Sequence, residues 1–398
     1  MVILSLAMRD LWRDRFFTLC NIAIMVGILV PLLVLFGVKN GVYSALVGDM
    51  LADPANLQID TAGNATLSEA DIAPIRDWPE VAFVTPRVRG QFDFMNVRAV
   101  DGRRMRPALV IPSGAGDPTL PDGADLAADE VAISAQLAEQ LTLAPGDAIQ
   151  LVSQAEDRPR QLVLPMRVAL VLAPGAASGR AVLARFETLD LIEAFYDSYS
   201  LPDYGIDTGK DLATRTPAYA GARLYARRLE ELGALQARVE TQLGLGTTAR
   251  TREVDSLLSL GRKLNLALAG TAALAALGLG AALVLGFWSH VVRKRAVLAV
   301  IALIGLGPWQ LALFPLVQAV VTAAAGLATS FVLYALAARG AGWLFRAEMA
   351  QGAPLAVIAP GQGALIALAL LALVMLSAGA AAWRAQRIDP ATILRDAI

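Results

Sequence analysis

Cysteine occurs once in this chain, at Cys20, and histidine once, at His290. A single cysteine inside an apolar run cannot make a disulfide within the chain, and no CxxC ligand pair exists. Zinc and copper sites draw on several His or Cys ligands, so no structural metal is expected. Without a histidine between the first two long apolar runs, neither a Ser-His-Asp nor a Cys-His triad can be assembled there. Charge is scarce as well. Only 17% of residues are Asp, Glu, Lys or Arg, against roughly 25% in an ordinary soluble domain. The net charge of −1 gives no electrostatic reason to bind nucleic acid.

Two further features carry no catalysis. The adjacent acids Asp129-Glu130 and Glu230-Glu231 read as solvated surface. The stretch GIDTGKD, Gly205 to Asp211, lacks the GxxxxGK[ST] spacing and the hydroxyl that would hold magnesium. The chain is therefore expected to be no enzyme, with no cofactor of its own and no means of hydrolysing ATP by itself.

What the sequence does contain is hydrocarbon, unevenly spread. Its charge is concentrated between about Lys39 and Lys263. The run from Phe16 to Val38 has about 23 residues without a charge, enough for a hydrocarbon core of roughly 30 Å. It reads as a retained helix rather than a cleaved leader, which would have a shorter apolar region and a small-residue cleavage site. A second run spans about Leu264 to Val292. The stretch from Ala296 to Ala338 has about 43 uncharged residues, more than one span needs. Proline cannot continue a helix ladder, so the natural break is Gly305 to Pro308. A fourth run, about Gly363 to Trp383, ends the hydrophobic part.

The pattern predicts a membrane protein of four transmembrane α-helices, with a large α+β domain inserted between helices 1 and 2. The expected boundaries are 1–41 for the N-terminus and helix 1, 42–261 for the domain and 262–292 for helix 2. Residues 293–308 form a surface segment, 309–338 helix 3, 339–362 a short loop, 363–383 helix 4 and 384–398 a tail. Four spans put both termini on one side. Arg9, Arg13, Arg15, Arg293, Lys294, Arg295, Arg384, Arg387 and Arg395 lie there, against Asp10, Asp14, Asp389 and Asp396. Basic residues in short segments favour the cytoplasm, which places the inserted domain outside it. The spans carry almost no ionisable group, which argues against a proton- or ion-coupled transporter.

Within the domain, SEADIAPIRDW has Ser68 and Asp71 at capping-box spacing and reads as a helix. VAFVTPRVRGQFDFMNVRAV reads as strands broken at Pro86 and Gly90. DEVAISAQLAEQLTLAPGDAIQLVS reads as strand, helix, turn at Pro145-Gly146-Asp147, and strand. Ala222 to Tyr225 reads as a strand, followed by an amphipathic helix with Leu229, Leu232, Leu235, Val239 and Leu243 inward. Ile111 to Gly123 and Leu201 to Gly209 read as loops.

Three features suggest contact with something else. Gly270, Gly278, Gly280, Gly286 and Gly326 would let helix backbones approach closely, as a dimer or bundle interface; generic alanine-rich composition explains the alanines well and the glycine spacing less well. The segment SHVVRKRAVLAVIALIGLGPWQL places three basics beside an amphipathic stretch. That is either ordinary anchoring or a helix that docks on a cytoplasmic partner. The tail AQRIDPATILRDAI is short, charged and broken by proline, which is more than an anchor needs.

Taken together, the pieces resemble the MacB-, FtsX- and LolC/LolE-like family of ABC transporter membrane subunits. The resemblance covers the whole chain. It is carried by one span, a large domain and three further spans, by the opening LAMRDLWRDR, by the strand-helix-GD-strand pattern, and by the tail residues Ala385, Ile388, Asp389, Pro390, Leu394 and Arg395. The chain departs from the family where Ala296 stands in place of a common acid and Gly305-Leu306-Gly307-Pro308 replaces a small-residue turn. The resemblance implies a multi-pass protein of the bacterial inner membrane with a periplasmic domain. It implies that a separate cytoplasmic ABC ATPase dimer, carrying ATP and Mg, docks on Arg293, Lys294, Arg295, Leu298, Ile301 and Gly305 and on Asp389, Pro390, Leu394 and Arg395. Other implied partners are a second membrane subunit, identical or different, a periplasmic adaptor or substrate protein, and membrane lipids. The implied work is export or extraction of a hydrophobic or lipidated substrate. Two other functions fit the same pattern: ATP-driven signalling to a periplasmic enzyme, and a receptor or scaffold without ATP coupling.

Overall fold

A computed structural model of the protein describes residues 2–63, 65–90, 92–100, 102–121, 124–153, 160–216, 218–294, 308–344 and 356–385. The chain divides into two compact units, one of residues Met1–Leu46 and Leu260–Ile398, the other of Val47–Ser259.

The first unit is helical. Helix α1 runs Val2–Arg13 and α2 runs Arg15–Ala52. After the second unit come α7 (Thr251–Arg293), α8 (Pro308–Leu344) and α9 (Pro360–Ala385). Four of these are long and apolar enough to cross a membrane: α2, α7, Leu313–Trp343 of α8 and Pro360–Ala380 of α9. At 1.5 Å per residue α2 is about 57 Å long and α7 about 64 Å, roughly twice a hydrocarbon core. Helix α2 runs on past residue 41, the expected end of the first helix. KNGVYSALVGDM continues it to Ala52, because nothing in that stretch forbids helix. Pro308 opens α8, at the first helical position, where its missing N–H costs nothing. The helices share a core of Met25, Leu29, Leu279, Leu283, Phe287, Ala319, Leu370 and Val374.

The second unit is β-rich with short helices. Among the described residues its strands are β1 (Gln58–Thr61), β2 (Val81–Arg87), β3 (Phe94–Ala99), β4 (Met105–Ser113), β5 (Glu130–Ile133), β6 (Ala148–Ser153), β7 (Leu162–Val171), β8 (Ala181–Arg185), β9 (Gly221–Ala226) and β10 (Thr247–Ala249). Strands β10-β1-β9-β2 form an antiparallel sheet, and β3-β4-β8-β5-β7-β6 close into a barrel. Closure leaves the barrel no free edge. Its interior is filled by Val97, Ile133, Ile149, Leu151, Val168 and Val182, joined by Leu137 of α4 (Ala135–Leu141) and by Ile192 and Phe195 of α5 (Phe186–Tyr196).

The sheet buries Ile59 and Leu224 against α3 (Glu69–Arg76) and α6 (Leu232–Leu243). A helix as short as α3 is marginal alone. It is held by the capping box of Ser68 and Asp71 and by the fully buried Ile72 and Ile75. The expected strand-helix-turn-strand over residues 129–153 is present as β5, α4 and β6. Two local expectations are corrected. Pro86 does not break a strand but lies inside β2, opposite Ala222. Strand β2 is an edge of its sheet, and proline in an edge strand has no ladder hydrogen bond to give up. Ile111–Ser113, expected as loop, is the end of β4, paired in parallel with β8.

Candidate functional site

Most of the residues expected to dock an ATPase, namely Arg295, Leu298, Ile301, Gly305, Asp389, Pro390, Leu394 and Arg395, lie outside the described residues. The root of the first docking segment is described, and it is a cluster of polar and charged side chains. Lys294, just past the end of α7, bonds Asp10 of α1 through its ammonium and lies 3.5 Å from Asp14 Oδ2. Gln318 of α8 donates from Nε2 to Asp10 Oδ2 at 2.7 Å and to the Ala7 carbonyl at 3.4 Å. Its Oε1 lies 3.2 Å from His290 Nε2 of α7. The His290 ring stacks on Phe17 of α2 with centroids 4.5 Å apart, and Arg293 sits over the same Phe17 ring at 4.8 Å. His290 Nδ1 is buried without a hydrogen-bond partner; Asp14 Oδ2 is 3.8 Å away.

Four helices thus meet in one polar knot. Sequence reasoning noted Lys294 and Arg293 but counted Asp10 and Asp14 only as charges. A short-range signal existed, since Asp10 and Asp14 stand four residues apart and so share a helix face. The partner Gln318 lies far along the chain, and no local pattern links it to Asp10.

The five glycines separate into two groups. A Cβ on Gly280 would lie 3.1 Å from Leu373 Cδ1, one on Gly286 3.1 Å from Asn21 Oδ1, and one on Gly326 3.1 Å from Met25 Sδ. Gly270 and Gly278 have nothing within 4 Å. Gly37, not singled out from sequence, is tighter than any of these, with Tyr334 Cε2 2.9 Å from where its Cβ would be.

The β-rich unit holds two ionic clusters, the first buried and the second partly buried. Arg223 of β9 donates to the Pro112 carbonyl (3.0 Å) and Asp117 Oδ2 (3.4 Å), and it also bonds the Tyr225 hydroxyl. Asp117 also accepts from Ser113 Oγ (2.8 Å) and from the Thr119 amide (2.8 Å). This fastens the sheet to the barrel. Burial pushes the Tyr225 hydroxyl pKa up, so it remains a neutral donor. In the second cluster Asp190, Glu193 and Asp197 lie along one face of α5 and its C-cap. They bind Arg89 (Nε to Glu193 Oε1 2.5 Å) and Arg215 (Nη2 to Asp190 Oδ1 2.7 Å). Burial works against both guanidinium charges, but the carboxylates outweigh it and hold both pKa values above the ordinary arginine value. Every acid of these clusters is engaged by arginine, which suits bracing rather than proton transfer. Among the described residues no group of three or more His, Cys, Asp or Glu is arranged to hold a metal ion.

No protein-family model matches the chain, and no curated protein matches it. Among solved structures the chain is similar to the extracellular domain of the noncanonic ABC-type transporter YknZ from Gram-positive bacteria. The identity is 12%, the match covers 48% of this chain and 98% of that one, and the TM-score is 0.30. At that identity and score the likeness assigns neither a family nor a function.

Proposed function

We propose that this chain is a non-catalytic membrane subunit of an ABC transporter in the bacterial inner membrane. A separate cytoplasmic ATPase dimer, holding ATP and Mg, docks on the segment from Arg293 and on the tail. Its hydrolysis cycle moves the β-rich unit, which lies on the periplasmic side, to export or extract a hydrophobic or lipidated substrate. A second membrane subunit completes the complex.

The observation that carries this reading is the polar knot at Lys294. Charges near a hydrocarbon core are costly unless paired. Lys294 and Asp10 are partly buried, so removing one partner leaves the other charge incompletely solvated. If α1, α7 or α8 moved alone, Lys294, Asp10 or Gln318 would lose a partner, and if α2 moved alone His290 would lose its stacking on Phe17, so these helix ends move together. A push on the docking segment therefore reaches α2 and α7, the helices that precede and follow the β-rich unit along the chain. The sequence resemblance in the tail and the four apolar helices support the same reading.

The test is a charge swap. Lys294→Asp should lower ATP hydrolysis by the co-expressed complex about tenfold, the rate equivalent of ~1.4 kcal/mol of lost coupling. Adding Asp10→Lys should restore most of it. A single variant with wild-type hydrolysis, or a double variant no better than the single, contradicts the reading.

A further inference from the structure

Within the helical unit, α2, α7 and α9 leave a cavity of about 230 Å³ between them. All of its lining residues are Ala, Ile, Leu or Phe, among them Leu32, Phe36, Ala272, Ala275, Ile366 and Leu370. The cavity has a local cause. At Gly280 the lack of a side chain brings α7 close to Leu373 of α9. Beyond that pinch α7 presents Ala276, Ala275 and Ala272, which are too short to fill the space as the cavity continues away from it.

At the other end the chemistry changes within two helical turns. Lys39 follows Phe36 by three residues, Gln362 precedes Ile366 by four and Asn265 precedes Ala272 by seven. These are rises of roughly 4.5, 6 and 10.5 Å. Lys39 Nζ donates to Asn265 Oδ1 (2.6 Å) and Asn40 Oδ1 (3.3 Å), and Asn40 Nδ2 donates to Gln362 Oε1 (2.7 Å). Both hydrogen-bond acceptors of Lys39 are neutral, and its ammonium also lies 5.3 Å from the centre of the Tyr43 ring, so no anion meets its charge. Arg262 lies three residues before Asn265, on the same helix face, and Lys263 is beside it; both are exposed. Among the described residues none of the three cations forms an ion pair with a carboxylate.

A hydrocarbon slot whose polar end carries cations with no carboxylate partner among the described residues matches a molecule with an apolar chain and a fixed anion next to it. An acyl chain attached to a protein would fill the slot but bring no phosphate to its mouth. We propose that the cavity binds one acyl chain of an anionic phospholipid of the surrounding bilayer, with its phosphate at Lys39 and Arg262. The inference rests on reading these helices as membrane spans, part of the proposed function, and not on ATP coupling.

The test is native mass spectrometry of the full chain in mild detergent, with phosphatidylglycerol and phosphatidylcholine of identical acyl chains as probes. Phosphatidylglycerol should be retained over phosphatidylcholine. Lys39→Gln should weaken its retention about fivefold, the effect of one cation on an anionic surface. Ala275→Phe, which fills the slot, should abolish retention of both lipids. Equal retention of the two lipids by the unaltered chain overturns the proposal. So does phosphatidylglycerol retention that both variants leave unchanged, or an Ala275→Phe effect confined to loss of a second copy of the chain. If Ala275→Phe fails to fold, Lys39→Gln at the polar mouth decides alone. No ATPase is present in this measurement, so a negative result leaves ATP coupling untouched.

Discussion

Arg223 carries its guanidinium in the interior of the β-rich unit, where Asp117 supplies the opposite charge and is itself fully buried. Arg223→Met would strand that carboxylate. Breaking such a pair costs about 3–5 kcal/mol, so the urea midpoint of the full chain in detergent, followed by β-sheet circular dichroism, should fall sharply. An unchanged midpoint would show that the link between sheet and barrel is not structural. Asp93 works in the opposite sense. Burial raises its pKa, partly offset by the positive charge of Arg87. A carboxyl with a folded pKa above its unfolded one binds an extra proton on folding, so stability falls as pH rises through that interval. Asp93→Asn should therefore be more stable than the parent at pH 7, and the gap should close as pH drops into the ordinary carboxylate range. Thermal melts at both ends of that range check the sign. Asp71 and Glu240 are shifted the other way, by hydrogen bonds from Ser68 and from Thr247. Their contribution is present above their unfolded pKa and is lost as pH falls through the folded one.

At the scale of elements, the close approach of α2 and α8 depends on Gly37. A Cβ there meets the Tyr334 ring, and overpacking of this kind costs about 1–3 kcal/mol. Gly37→Val should lower the melting temperature of the chain in detergent. Gly270→Leu and Gly278→Leu, which have open space around them, should leave that temperature unchanged and weaken subunit association on size-exclusion chromatography. A melt unaffected by Gly37→Val would contradict the packing described. Legibility in the sequence followed distance along the chain. The capping box at Ser68 and the turn at Gly146 (φ 98°) are local chemistry, and both were readable. Barrel closure was not, because it needs β3 to find β6 about fifty residues away, in the register Val97 opposite Leu151. Pro86 misled because a strand's edge position depends on which neighbours it acquires. The polar knot stayed hidden because Gln318 and Asp10 are 308 residues apart.

For the whole molecule, hydrophobic runs announced four helices long and apolar enough to cross a membrane, since hydrocarbon length is a constraint that composition alone expresses. Their true lengths were hidden, because a helix can become polar without ceasing to be helix, as α2 does after Val38. The central claim is that this chain works only with a separate ATPase held at its cytoplasmic face. The most direct test is to purify the tagged chain from native membranes in mild detergent, with and without residues Ile388 to Ile398, and to measure bound ATPase and ATP hydrolysis. A stoichiometric ATPase that hydrolyses ATP and is lost on truncation is the predicted result. A chain that purifies alone and without hydrolysis, in several detergents, would contradict it.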